Sequence, residues 1–444
     1  MQNSFFFPNI DTYRFCTLKY NIFNFKIKKK TEIPQNFVGR KTQVAVLKKK
    51  LKKRRKKSSV NYKRSVDFAI NKLKTSKLGE MAEYKLYMEV ILEEIIPKWN
   101  TEWRRQPEMK GIINKRTLFE EIEESIPSMH CLFELMFVRI KNRRDKKNIC
   151  LIDLCSGKGI LSVLIVSFLH FCKYMKNGNK NEDKSAMERK DKCMKYQELY
   201  DHLKCIYLID RNWDLPLQMN EMVNEKTKKS NSKKSTKSVI LNGHLKYVTQ
   251  LYQIPLIPIC MNIFDITSLE HFIVTNQQVH DCVYMINAIH LCRRLSACAV
   301  SLFNQCKHHI FALLLAPCCM PKRNGVDITI GPLLRVSSLQ WIHRVPSDNI
   351  SPYSLVVHTL QVNDILPYRI YGIANDANYG KTFVSMRCED LRTKLHSYEH
   401  KYHAWTSFLY NAIDQWECAK KFVQIPLHGG EHRCNMYLIA SRDI

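Results

Sequence analysis

Asn148-Ile-Cys-Leu-Ile-Asp153-Leu-Cys-Ser-Gly157-Lys-Gly159-Ile-Leu-Ser162 is the stretch that decides the fold. The apolar run from Ile149 to Ile152 has the length and content of a short buried strand. It closes on an acid, Asp153. Gly157 and Gly159 follow, and a second apolar run from Ile160 to Phe168 is long enough for a helix. Strand, glycine turn and helix in this order belong to open α/β sheets, whose ligands lie outside the C-terminal ends of the strands. Glycine suits such a turn because it adopts positive φ without strain and lets a ligand come close to the backbone.

Three nucleotide-binding patterns compete for the stretch. A P-loop requires Ser or Thr after Gly-Lys and another glycine where Ile152 stands, and neither is present. A dinucleotide fingerprint requires a third glycine at the position of Ser162, so that match is partial. An acid at the strand end, four residues before Gly-x-Gly, resembles motif I of the class I S-adenosylmethionine-dependent methyltransferases. Asp153-Leu-Cys-Ser-Gly157-Lys-Gly159 fits that motif at each position. The bland alternative is a glycine turn in some other α/β protein.

Working outward, apolar runs predict strands over 204–210, near 257–264, over 282–289 and over 309–316, with helices between them. This alternation predicts a mostly parallel sheet. Two polar stretches, 173–195 and 224–237, read as surface inserts. Residues 321–395, rich in Gly and Pro, read as an irregular insertion. A helix is expected over 401–420, then strands over 421–426 and 435–440 joined through Gly429-Gly430. A helix followed by a terminal antiparallel hairpin is similar to the end of the class I methyltransferase sheet. The expected fold is thus α/β, Rossmann-like, with its main domain over 148–444.

Two regions precede that domain. Residues 60–147 carry helical periodicity, with an apolar stripe from Tyr84 to Ile95 before Pro97 and a second helix over 117–141 interrupted at Pro127. Residues 1–59 read as a basic, disordered extension. Of the 60 first residues 17 are Lys or Arg and 2 are acidic, against a net charge of +29 for the whole chain of 444. Nine of the ten residues 48–57 are basic. Such a run suits nuclear import, RNA phosphates, or both, or is only a solvated tail. No apolar run is long enough for a membrane span, and no signal peptide is legible. The 17 cysteines show no secreted-type framework, so they read as reduced, and the protein as nuclear or cytoplasmic.

The resemblance to methyltransferases implies a cofactor, S-adenosyl-L-methionine, and a set of residues for it. Asp153, Cys155, Ser156, Gly157 and Gly159 form the motif I turn. Asp210, with Arg211 after it, ends the second strand, where a carboxylate accepts from ribose hydroxyls. It lies 51 residues past Gly159, against about 20 for the common spacing, and the 173–195 insert accounts for the excess. Asp265, after the third strand, is the candidate for the adenine amine, with a helix N-cap as its alternative.

The fourth strand ends in His290-Leu-Cys292 and the fifth in Pro317-Cys318-Cys319. These resemble a branch of class I enzymes that contains the eukaryotic tRNA 2′-O-methyltransferases and related methyltransferase-like proteins. Arg293 stands where the branch has Gly, and Met320-Pro321 where the tRNA enzymes have His-His. The implied catalytic candidates are His290, Cys318 and Cys319. His290 suits a general base at neutral pH, while the cysteines suit zinc ligation, methyl carriage or simple packing. No Cys-x₂-Cys pair is present, and vicinal cysteines such as Cys318 and Cys319 seldom ligate one tetrahedral ion together, so no metal is expected. Arg293 and Arg294 are candidates for a substrate phosphate. The expected activity is methyl transfer to RNA, with tRNA among the candidates. The rivals are a non-catalytic RNA-binding protein that retains the fold and a protein or small-molecule methyltransferase.

Overall fold

The computed structural model describes residues 65–142, 147–175, 184–213, 242–292, 295–319, 336–345, 354–365, 398–414, 418–425, 427 and 436–443. Its centre is a seven-stranded sheet. The strands are β1 (Asn148–Leu154), β2 (Leu203–Ile209), β3 (Leu256–Ile259), β4 (Cys282–Cys292), β5 (Ile310–Cys319), β8 (Cys418–Gln424) and β9 (Met436–Arg442). Their order is β3-β2-β1-β4-β5-β9-β8. The first five run parallel, and β9 is antiparallel to both β5 and β8. The chain winds outward from β1 in one direction to β3 and in the other through β4, so the order reverses beside β1. Crevices for ligands open at such a reversal.

Alternation along each strand divides the core in two. Ile149, Leu151, Ile206, Leu208, Val283 and Met285 face one layer; Cys150, Ile152, Cys205, Tyr207, Tyr284 and Ile286 face the other. Both faces are buried, which is why the central strands read as continuous apolar runs. The first layer holds α6 (Ile160–Tyr174), α7 (Lys184–His202) and α8 (Gly243–Tyr252). The second holds α9 (Ile266–His280), α10 (Leu295–Gln305) and α11 (Tyr398–Ala412).

The helical region before the sheet packs on the first layer. It comprises α1 (Ser65–Leu73), α2 (Ala82–Val90), α3 (Ile96–Thr101), α4 (Lys110–Ile113) and the long α5 (Leu118–Asn142). A π turn, Ile91–Ile95, joins α2 to α3 ahead of Pro97. The ring of Pro97 removes one backbone donor, and the wider turn carries the chain past it. Pro127 does not interrupt α5 as its sequence suggests. The helix continues through it, and nearby carbonyls take side-chain donors: Ser125 Oγ donates to Glu121 O at 2.5 Å, Ser128 Oγ to Glu124 O at 3.0 Å. Burial of the surrounding face, Ile122, Ile126 and Met129, outweighs the lost backbone bond.

Other expectations also need correction. From Lys184 the insert at 173–195 is helix, because Cys193, Tyr196 and Leu199 place a buried stripe against α6 and α2. The insertion at 321–395 contains an antiparallel pair, β6 (Val336–Val345) and β7 (Ser354–Ile365), with β-branched Val and Ile in both strands. The C-terminal helix stops at Ala412, and residues 418–420 already belong to β8. Strands β4 and β5 run on to Cys292 and Cys319, so His290 and the Pro-Cys-Cys run lie within strands and not after them. Of these two, only β4 is a direct neighbour of β1. The extension at 1–59, the insert at 224–237 and the pair Arg293-Arg294 lie outside the described residues. Among the described residues no helix is long and apolar enough to cross a membrane.

Candidate functional site

The glycine turn leaves the C-terminal end of β1 and is tied to the end of β2. Cys155 adopts φ 54°, and its N–H donates to Ile209 O at 2.7 Å. Gly157 and Gly159 have φ 55° and 69°. Their surroundings differ. A Cβ on Gly159 would collide with Leu208 Cδ2, whereas one on Gly157 would meet nothing within 4 Å. Gly159 therefore serves close packing of the turn on β2, and Gly157 faces open space. Gly159 also forms the left-handed cap before α6, whose first amides have no partner within the helix.

Asp153 is 3% exposed. Asn287 Nδ2 donates to its Oδ1 at 2.7 Å and Ser162 Oγ to its Oδ2 at 2.8 Å. Burial pushes the carboxyl up to about 6; the hydrogen bonds from Ser162 and Asn287 act against it, and the nearby charge of Asp210 adds a smaller upward push. Ser162 stands where a dinucleotide fingerprint would have its third glycine, and its hydroxyl serves Asp153. Asn287 Oδ1 and Ser156 Oγ are buried with no hydrogen-bond partner among the described residues.

The turn and the second acid meet in space. The Gly157 N–H donates to Asp210 Oδ2 at 3.3 Å, although the two residues are 53 apart in sequence. Asp210 Oδ1 accepts from Asn212 N at 2.9 Å. Together they present a carboxylate beside the open face of Gly157, a geometry suited to vicinal hydroxyls. Arg211 is exposed, and its carbonyl accepts from Cys260 Sγ at 3.5 Å at the end of β3. Asp265 is the N-cap of α9: it accepts from Ser268 N at 3.1 Å and Ser268 Oγ at 2.7 Å. Its capping role is what the structure displays, at the C-terminal end of the strand beside β2.

Lys158 and α5 close the other side. Lys158 Nζ donates to Gly111 O, and the Lys158 carbonyl accepts from His244 Nε2 at 2.9 Å. Burial, followed by the charge of Lys115, lowers the Lys158 pKa. A recess of about 50 Å³ lies between the turn, β4 and α5, walled by Asp153, Ser156, His290, Glu121 and Ser125. His290 has φ 60°, and its Nε2 is paired with the carboxylate of Glu124. The side chains of Cys292, Cys318 and Cys319 lie outside the described part of the structure. In backbone register Cys319 is opposite Cys292.

The structure thus gathers Asp153, Cys155, Ser156, Gly157, Gly159 and Asp210 at one crevice, with His290 at its far wall. Asn287, Ser162 and Glu124 were not singled out from the sequence. Asn287 did carry a signal, being a polar residue set between Ile286 and Ala288 in a mostly apolar strand. Glu124 carried little, since it reads as one of several acids at the start of a helix. Among the described residues no group of three or more His, Cys, Asp or Glu is placed to hold a metal ion. Comparison of the chain with protein-family models and with curated proteins finds no match.

Proposed function

We propose that this protein is an S-adenosylmethionine-dependent methyltransferase of the class I type, acting on RNA. The observation that carries the reading is the hydrogen bond between the Gly157 amide and Asp210 at the reversal of strand order. A nucleoside cofactor needs a glycine it can approach and a carboxylate for its ribose at one place, and these residues fit both needs. The two orphaned acceptors, Ser156 Oγ and Asn287 Oδ1, beside Asp153, suit the ammonium end of an amino acid. The sheet order, with its antiparallel final pair, is similar to that of class I enzymes. The cofactor would supply an electrophilic methyl group. The residues of the chain bind it, exclude water from it, and at His290 offer a nitrogen able to take a proton. The net charge of +29 favours a polyanionic substrate.

Three measurements test this. Calorimetry with S-adenosylmethionine should show binding that Asp210→Ala weakens by about 10- to 150-fold, the loss of one charged hydrogen-bond partner at roughly 1.5–3 kcal/mol. Gly157→Val should weaken it as well, by filling the approach path. Wild-type affinity in both variants rules out this crevice. Transfer of labelled methyl groups into total RNA separates an enzyme from a binding protein that keeps the fold without turnover. Deleting residues 48–57 should flatten the salt dependence of RNA binding without changing sequence preference.

A further inference from the structure

The bulge in β4 and a buried acid on α5 belong together. His290 is the extra residue between Ile289, which pairs with Ala316, and Leu291, which pairs with Pro317. Bulges of this kind re-aim a side chain, and they are over-represented beside active sites. Its left-handed φ of 60° is a strained state that persists only when the surroundings over-determine it. Those surroundings include the carboxylate of Glu124 at Nε2. The Glu124 side chain is 10% exposed, that of His290 43%. Glu124 is itself held from two directions. Its carbonyl accepts from Ser128 Oγ within α5 at 3.0 Å and from the Tyr437 hydroxyl on β9 at 3.1 Å.

We infer that Glu124 is the positioning residue for His290, and that the helical region before the sheet thereby completes the reacting end of the site. The inference deepens the methyltransferase reading and rests on it for the reaction. A carboxylate at Nε2 keeps the proton there, makes Nδ1 the basic nitrogen, and stabilises the imidazolium once Nδ1 is protonated. In the transfer, the acceptor atom of the substrate gains the methyl group and gives its proton to Nδ1. The imidazolium then carries the positive charge that the sulfonium has lost. Other ionisable groups share the recess wall: Glu121 on α5, with Asp153 and Cys155 at the turn. Glu121 is engaged by Lys115 at 2.5 Å, and Asp153 by Ser162 and Asn287. Glu124 is the carboxylate directed at the ring.

The test uses the full chain with ¹⁵N-labelled histidine. The His290 signals are assigned by their loss in His290→Ala. The expected result is an Nε2–H tautomer whose protonation midpoint falls by about one pH unit or more in Glu124→Gln. In single-turnover transfer with saturating cofactor, Glu124→Gln should be slower by roughly 10²-fold, the lower end for loss of acid–base function. Its pH midpoint should move down and its cofactor affinity stay unchanged. The double variant with His290→Ala should be no slower than His290→Ala alone. Glu124→Asp, which keeps the charge on a shorter arm, is the second variant should Glu124→Gln unfold; it should keep the raised midpoint and lose part of the rate. An unchanged tautomer and midpoint in Glu124→Gln overturns the pairing, whatever the transfer assay reads. A shifted midpoint in a protein that binds no S-adenosylmethionine upholds the pairing and overturns the methyltransferase reading.

Discussion

Strands β1 and β4 lie side by side, and both depart from regular geometry at a non-glycine residue in the left-handed region, Cys155 at φ 54° and His290 at φ 60°. They are held by different means. At β1 the departure is fixed by a backbone bond from Cys155 to Ile209 on the adjoining strand, and two glycines carry the turn into a helix. At β4 the strand bulges and continues to pair with β5, and the side chain of His290 is held by Glu124, a residue from the helical region before the sheet. The first end is a cradle built from backbone. The second is an aimed side chain. Under the proposed methyltransferase function, binding would belong to the β1 end and chemistry to the β4 end.

The comparison breaks most directly at His290. His290→Ala should leave cofactor affinity unchanged and slow methyl transfer by about 10²–10⁴-fold. Single-turnover transfer from pH 6 to 9, with saturating cofactor, reads this. Full activity would leave alignment alone as the source of catalysis and remove the chemical role of the β4 end.

A smaller effect sharpens the β1 end. Burial raises the Asp153 carboxyl from 3.8 to about 6. Between those values the folded protein holds a proton that the unfolded chain has lost. Its contribution to stability is therefore complete below the unfolded value and is lost as pH rises through the folded one. The loss amounts to about 3 kcal/mol between pH 4 and 6. Denaturant unfolding of Asp153→Asn should show that slope reduced. An identical slope in the variant would mean that Asp153 is not the group that titrates.

The smallest effect separates the two glycines. Both have positive φ, so alanine at either costs about 1 kcal/mol in backbone strain. At Gly159 the collision with Leu208 adds roughly 1–3 kcal/mol of overpacking. Thermal unfolding should therefore place Gly159→Ala below Gly157→Ala, while cofactor affinity should suffer at Gly157 although its Cβ meets no protein atom. Equal melting temperatures would show that the turn yields at Leu208 and that Gly159 has no packing role.

Much of the sheet was legible because strands buried on both faces must be apolar throughout, and glycines and acids at their ends stand out against such runs. The run ending at Asp153 and the one ending at Asp210 marked β1 and β2 in this way. Residues 184–195 were misread because a helix that packs along one narrow stripe, Cys193, Tyr196 and Leu199, is polar over most of its surface. Pro127 stays inside α5, although it removes the backbone bond to the Glu123 carbonyl, because Ile122, Ile126 and Met129 around it are buried, and that burial exists only in the folded chain.

The sequence by itself determined the α/β alternation, the glycine turn and the acids at the ends of β1 and β2. Each of these depends on local chemistry: apolar periodicity, the freedom of glycine at positive φ, and a carboxylate placed where a strand stops. Tertiary structure alone decided that Gly157 and Asp210 share a hydrogen bond across 53 residues. It also decided that Asn287 and Ser162 satisfy Asp153, and that Glu124 reaches His290. These pairs join separate elements whose approach is set by how the layers pack. A pairing between distant side chains leaves no periodicity in either partner's neighbourhood, so nothing local announces it.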